Sequence, residues 1–167
     1  VLEHPYDWRK PLGELGAAFA RRLDRALDDN PDQPVRILAH SMGGLVVRAA
    51  LAARPGLWDK FIASDGNRLV MLGTPNRGSH LFVETLLGQS DTIRTLARLD
   101  LAQGLQEVLD IVAGFPGAMQ LLPAPGFIDT DGRPPRAFYE RATWDALAAI
   151  NDDFWFGKAL CGRPSQA

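Results

Sequence analysis

The residue pattern best suited to chemistry in this chain is a serine between an apolar strand and an apolar helix. Residues 35–47 read VRILAHSMGGLVV, which places Ser41 at the junction. A serine hydroxyl is a useful nucleophile only when the backbone exposes it beside a base and oxyanion donors. A sharp turn brings the residues two before and two after the serine close together, and Ala39 and Gly43 are both small. Gly44 adds room where the helix passes the strand, so the pattern predicts a nucleophile elbow.

The residue after the serine supplies the second part of this chemistry. The peptide N–H of Met42 falls in the first helical turn, where unbonded donors and the positive end of the helix dipole favour a developing oxyanion. A simpler interpretation of Ser41 stays open here, because serine is also a frequent helix N-cap. No histidine is an evident base for it: we expect His40 to pack or hydrogen-bond beneath the turn and His80 to have a surface role.

Strands and helices alternate around this junction. Apolar residues spaced by three or four predict a helix over residues 11–29. Short apolar runs predict strands over 35–39 and 68–73, and a helix over 42–53 joins them. This order is typical of a right-handed β–α–β unit within a covered parallel sheet. Residues 2–6 are expected to end an earlier strand.

The second half of the chain is mainly helical by the same criterion. Apolar spacing predicts helices over 82–99 and 101–112, and a later helix with Thr143 as its N-cap. No clear strand pattern returns in this half. We therefore expect an α/β core segment over 1–80 and a helical, cap-like region over 81–167, either laid on that core or inserted into it.

Composition and charge exclude several classes of protein. The chain has 167 residues, 46% of them apolar, and a net charge of −2, so neither nucleic acid nor a transmembrane segment is expected. Cys161 is the single cysteine, which rules out an internal disulfide. Asp129 and Asp131 resemble the start of a calcium loop but lack its later glutamate, so no metal site is predicted. Because the chain starts at Val1, we expect it to be a piece of a longer polypeptide.

Two polar motifs beside the predicted strands are expected to be structural. The segment Tyr6-Asp7-Trp8-Arg9 offers Arg9 for pairing with a carboxylate. After the second strand, Asn76 suits a turn in which its side chain caps the backbone.

Three ordered motifs together resemble the α/β-hydrolase lipases, especially the lecithin:cholesterol acyltransferase-like branch and related bacterial lipase-like domains. The motifs are Tyr6-Asp7-Trp8-Arg9, Ala39-His40-Ser41-Met42-Gly43-Gly44 and Gly73-Thr74-Pro75-Asn76-Arg77-Gly78-Ser79. The resemblance covers about the first 80 residues. It implies an α/β fold, part of a doubly wound parallel sheet, with a mostly helical cap. It also implies that Ser41 is the nucleophile and that the Met42 amide is one oxyanion donor.

The same resemblance implies a serine ester hydrolase that works through an acyl-serine intermediate on an ester or lipid-like substrate. Its other triad members are expected outside this chain, so the chain alone is expected to be inactive. No cofactor is expected. Two alternatives stay open: an acyltransferase of the same family, and a non-catalytic, hydrolase-derived module that binds a lipid or a partner.

Overall fold

The computed structural model of the protein describes residues 1–99, 104–127 and 137–151. The elements are α1 (Leu12–Asp29), β1 (Arg36–His40), α2 (Met42–Ala53), α3 (Pro55–Ile62), β2 (Arg68–Leu72), α4 (His80–Leu86), α5 (Asp91–Leu99), α6 (Leu105–Ala113), α7 (Pro116–Met119) and α8 (Arg141–Asn151). They fall into two compact units, the first formed by Val1–Asn76 with Pro116–Leu121 and the second by Arg77–Phe115 with the residues from Leu122 onward. Asp129, Asp131 and Cys161 lie outside the described residues.

The first helix forms because one of its faces is apolar. Leu15, Ala20 and Leu23 are buried on that face. Pro11 precedes the first turn, where a missing amide hydrogen leaves no donor unsatisfied. At the other end, Asn30 Nδ2 donates to the carbonyl of Ala26 at 2.8 Å. The predicted helix over 11–29 is confirmed.

The two strands pair in parallel, with Arg36 opposite Arg68 and His40 opposite Leu72. This confirms the predicted parallel pairing of strands joined through a helix, with strand ends that differ by one residue from the prediction. Because the carboxyl ends of parallel strands share one edge of the sheet, the residues that follow His40 and Leu72 lie beside each other.

One face of this small sheet is covered by helices. Ile37 and Leu69 pack against a cluster of buried residues from α1, α2 and α3, namely Ala20, Leu23, Ala50, Leu57 and Phe61. On the opposite face Leu38, Val70 and Leu72 are 71%, 47% and 49% exposed. The prediction of a covered sheet therefore holds for one face only among the described residues.

The helix α3 was not anticipated from the sequence. A Pro-Gly pair after a helix usually marks its end. Here Arg54 leaves the helical conformation, with φ of −135° and ψ of 78°, and Pro55 opens a new helix in the first-turn position that proline tolerates. Leu57 and Phe61 bury the apolar side of α3 in the core.

A buried asparagine connects the end of α3 to the start of β1. Asn67 Oδ1 accepts from the amide of Val35 at 2.6 Å, and its Nδ2 donates to the carbonyl of Phe61 at 2.6 Å. On the surface of the same unit, Lys60 Nζ lies 2.7 Å from Asp24 Oδ1, which pairs α3 with α1.

The first six residues do not form the expected strand. Pro5 has no amide hydrogen for a ladder, and β1 pairs only with β2 in the part of the chain that the structure describes.

The segment after α6 contributes α7 to the first unit. The amide of Gly117 donates to the carbonyl of Arg9 at 3.0 Å, and a Cβ at Gly117 would overlap the backbone carbonyls of Trp8 and Lys10.

The described part of the second unit consists mainly of helices, and their boundaries differ from those predicted. The expected helix over 82–99 is two helices, α4 and α5, and Gly88 between them has a φ of 67°. Helix α6 starts at Leu105, while 101–103 lie outside the described residues. Thr143 is inside α8 and not its N-cap, because its amide already donates to the carbonyl of Glu140 at 3.1 Å.

Candidate active site

Ser41 occupies the turn between β1 and α2 in a strained backbone conformation. Its φ is 50° and its ψ is −128°, and no other non-glycine residue of the described ranges has a positive φ. Such a conformation costs about 1–3 kcal/mol and persists only where the surroundings hold it. Here the Ser41 amide donates to the carbonyl of Leu72 at 2.8 Å, and the Ser41 carbonyl accepts from the amide of Gly44 at 3.1 Å.

The Ser41 side chain is exposed and does not cap the helix that follows it. The N-cap interpretation therefore fails, because the hydroxyl makes no capping hydrogen bond. The amide of the next residue, Met42, donates to no backbone carbonyl of the described residues. The Met42 side chain is buried with Leu15 and Val46, which fixes the first turn of α2 in place. The turn thus places an uncapped hydroxyl next to an N–H that donates to no described backbone carbonyl.

The two glycines after Met42 have different roles. A Cβ at Gly43 would lie 4.0 Å from the Cβ of Ala39 and 3.6 Å from the hydroxyl of Tyr6, which are ordinary contact distances. A Cβ at Gly44 would lie 2.6 Å from Cγ2 and 2.8 Å from Cβ of Thr74. Gly43 therefore lies beside Ala39 as expected but has room for a methyl group, whereas Gly44, expected to make room where the helix passes, is the position at which Thr74 excludes a side chain.

The loop after β2, formed by Gly73–Asn76 and called here the β2 loop, runs beside the start of α2. Asn76 N donates to the carbonyl of Thr74 at 2.8 Å, which closes a turn inside the loop. The Asn76 side chain does not cap the backbone as expected. Its Oδ1 accepts instead from Arg48 Nη1 of α2, at 2.7 Å. Sequence reasoning missed Arg48, because no local pattern marks an exposed helical arginine as the partner of a residue 28 positions later.

Neither His40, at the end of β1, nor His80, at the start of α4, makes a described hydrogen bond to Ser41. His40 is exposed at the end of β1, so the expected packing beneath the turn is wrong. His80, in the second unit, is half-buried rather than at the surface, with its ring 5.1 Å from that of Phe127 and 5.7 Å from that of Phe138. No described side chain makes a hydrogen bond to the hydroxyl of Ser41.

The third histidine lies in the N-terminal segment. The ring of His4 is 5.2 Å from the ring of Phe19, and its Nε2 is buried without a hydrogen-bond partner among the described residues. Burial, with a smaller contribution from the positive charge of Arg22, lowers the pKa of His4. Burial also raises the pKa of the Tyr6 phenol, which lies near Gly43. Both side chains therefore favour their neutral forms.

The predicted pairing of Arg9 is confirmed. Its Nε and Nη2 donate to the two carboxylate oxygens of Asp7 at 2.8 and 2.9 Å. These hydrogen bonds lower the pKa of Asp7. The Asp7 carboxylate is therefore paired with Arg9, and no hydrogen bond in the described part of the first unit connects it to Ser41.

Comparison with known proteins adds one finding. A family model described as lecithin:cholesterol acyltransferase matches residues 1–141, a range that includes β1, Ser41, α2 and β2. Searches among curated proteins and among solved structures gave no significant match. Within the described ranges, no helix combines the length and the apolar character needed to cross a membrane.

Proposed function

We propose that this chain, which belongs to the lecithin:cholesterol acyltransferase family, carries the nucleophile of a serine esterase of the lipase type. The family is one of acyl-transferring and hydrolytic enzymes that act on lipids. In this proposal Ser41 is the nucleophile and the Met42 amide is an oxyanion donor. The sheet described here is part of a doubly wound α/β-hydrolase sheet, with 1–80 as core and 81–167 as a helical cap.

The observation that carries the proposal is the conformation of Ser41. A positive φ is costly for serine, and this one exposes a hydroxyl that caps nothing. A serine that only started a helix would adopt extended backbone and accept a hydrogen bond from the first turn. Ser79 does so before α4, with a φ of −144° and its Oγ accepting from the amide of Leu81 at 3.2 Å.

The first half of the proposed reaction forms an acyl-enzyme. Ser41 Oγ attacks the ester carbonyl carbon while a base takes its proton, and the carbonyl π pair moves to the oxygen. The Met42 N–H donates to that oxyanion from the positive end of α2. When the carbonyl re-forms, the bond to the alkoxy group breaks, and the leaving alcohol receives the proton from the base. We place this base, a histidine, outside the present chain.

The second half depends on the acceptor. Water that attacks acyl-Ser41 through the same tetrahedral geometry releases a carboxylic acid, whereas an alcohol releases a new ester. Both routes regenerate the serine and need no cofactor. Hydrolysis is our first proposal and acyl transfer the alternative, since both use the same nucleophile and oxyanion donor.

We propose an ester with an apolar acyl part as the substrate. The second unit exposes large apolar side chains on several helices, including Leu81, Leu96 and Ile111. Exposed apolar side chains on a cap-like region suit contact with an acyl chain. A non-catalytic lipid-binding or partner-binding module is the competing proposal, supported by the observation that no described side chain makes a hydrogen bond to the Ser41 hydroxyl.

A serine-directed fluorophosphonate probe separates these proposals. The natural full-length polypeptide is expected to be labelled, and Ser41→Ala is expected to abolish labelling while the protein stays folded by circular dichroism. Ser79→Ala is the matched control, because it removes a capping serine of the same chain and should leave labelling intact. A folded full-length polypeptide that is not labelled would favour the binding module.

A further inference from the structure

We propose that Arg48 is a positioning residue that holds the β2 loop against the first turn of α2 and so maintains the conformation of Ser41. The inference rests on the proposed function, because it assigns a role toward the proposed nucleophile. Arg48 lies one helical turn after Gly44, and residues four apart on a helix share a face. The β2 loop follows that face from Thr74 to Asn76.

The anchor is the contact between Arg48 and Asn76. Arg48 Nη1 lies 2.7 Å from Asn76 Oδ1 and 3.4 Å from the carbonyl oxygen of Asn76. The guanidinium therefore holds both the side chain and the backbone of this residue. Hydrogen bonds that involve a charged donor are stronger than neutral ones.

The loop carries this constraint to the start of the helix. The internal turn from Asn76 N to the Thr74 carbonyl, 2.8 Å long, links the anchored residue to Thr74. The Thr74 side chain fills the space where a Cβ of Gly44 would stand, and its hydroxyl is buried with no partner among the described groups. Thr74 is therefore held by packing and by the turn, not by a hydrogen bond of its own side chain.

Ser41 is held at both ends by this assembly. Its amide donates to Leu72 at the end of β2, just before the loop, and its carbonyl accepts from Gly44, on which Thr74 packs. Gly73 joins Leu72 of β2 to Thr74 of the β2 loop, and its φ is 57°. Because glycine has no Cβ and adopts many backbone conformations, this joint offers little resistance to movement of the loop. Without the anchor at Arg48, the loop can withdraw from Gly44, and Ser41 can relax toward an unstrained conformation.

The test compares Arg48→Met with Arg54→Met in the full-length polypeptide. Methionine keeps much of the apolar stem and removes the guanidinium. Arg54 Nη2 is also exposed and bonds Asp24 at 2.9 Å, but it lies at the opposite end of α2 from Ser41. We expect the rate constant for fluorophosphonate labelling to fall about tenfold in Arg48→Met, because small misplacements of reacting groups have effects of this order or larger. In Arg54→Met it should change less than about twofold, since no hydrogen bond within the described ranges links Arg54 to the turn at Ser41.

Labelling rates and ester kinetics are measured well below the thermal unfolding midpoint of each variant. A lower rate then reports a changed position of Ser41 and not a larger unfolded fraction. The loss in Arg48→Met should appear in kcat for a short-chain ester more than in KM. Asn76→Asp, which keeps the acceptor, should retain most of the labelling rate, whereas Asn76→Ala should lose as much as Arg48→Met. The double variant Arg48→Met with Asn76→Ala should lose no more than either single variant. Equal labelling rates in Arg48→Met and the parent would overturn this inference, while absence of labelling in the parent would overturn the proposed function instead.

Discussion

Gly43 and Gly44 are adjacent glycines in the first turn of α2, and the structure predicts opposite effects when each becomes alanine. In Gly43→Ala the new methyl group meets only Ala39 and Tyr6, at 4.0 and 3.6 Å. Replacing glycine by alanine in a helix gains up to about 1 kcal/mol, because glycine loses more backbone entropy on folding. We therefore expect Gly43→Ala to be neutral or to stabilise the protein by up to that amount.

Gly44→Ala gains the same helix propensity but places a methyl group against Thr74. The distances of 2.6 Å to Cγ2 and 2.8 Å to Cβ require that the backbone of the β2 loop or of α2 moves, since Cβ cannot rotate away. Overpacking of this kind typically costs about 1–3 kcal/mol. After subtraction of the propensity gain, we expect the free energy of unfolding to fall by up to about 2 kcal/mol.

Urea unfolding of the parent and the two variants measures these differences, provided that the slope with denaturant is unchanged. Thr74→Ala in the Gly44→Ala background tests the cause, because it removes Cγ2 and the hydroxyl but keeps the contact with Cβ. It should recover part of the loss, and the two substitutions should not be additive. If Gly44→Ala is as stable as Gly43→Ala, the packing of Thr74 is not the reason for glycine at position 44.

Two further predictions concern stability in the first unit. Asn67→Ala leaves the Val35 amide and the Phe61 carbonyl without their partner in a site that is 7% exposed, so unfolding should become easier by about 2–4 kcal/mol in a urea titration; a loss below 0.5 kcal/mol would mean that other groups or water replace the amide. Hydrogen bonding from Lys60 lowers the pKa of Asp24 below its ordinary value of 3.8, so the stability that Asp24 contributes is present above about pH 4 and is lost as the pH falls through the depressed pKa. The difference in unfolding midpoint between the parent and Asp24→Asn should therefore shrink as the pH is lowered from 6 to 2, and a constant difference would contradict the assignment.

Much of the candidate site was predictable because its parts are consecutive in the sequence. A strand, a serine and a helix in immediate succession leave few ways to turn the chain, so Ser41 and Met42 could be named from residues 35–47 alone. The β2 loop was also recognisable, but its contacts were not. Asn76 was expected to cap the backbone, and its actual partner, Arg48, lies on a helix before β2.

Errors in the fold arose where local signals are ambiguous. The Pro-Gly pair at 55–56 can end one helix or begin another, and the burial of Leu57 and Phe61 decided in favour of α3. The continuous apolar spacing over 82–99 did not reveal that Gly88 would adopt a positive φ between two helices. The exposed face around Leu38 was missed for a similar reason, because an apolar strand does not indicate which of its faces is covered.

The sequence by itself determined the order of strands and helices in the first unit and the junction at which Ser41 stands. It could do so because hydrophobic periodicity and turn residues act over a few neighbouring positions. Only the tertiary structure decided that Thr74 fills the space at Gly44 and that Arg48 holds the β2 loop. These contacts join residues about 30 positions apart, and their distances follow from how α2 packs beside the end of β2.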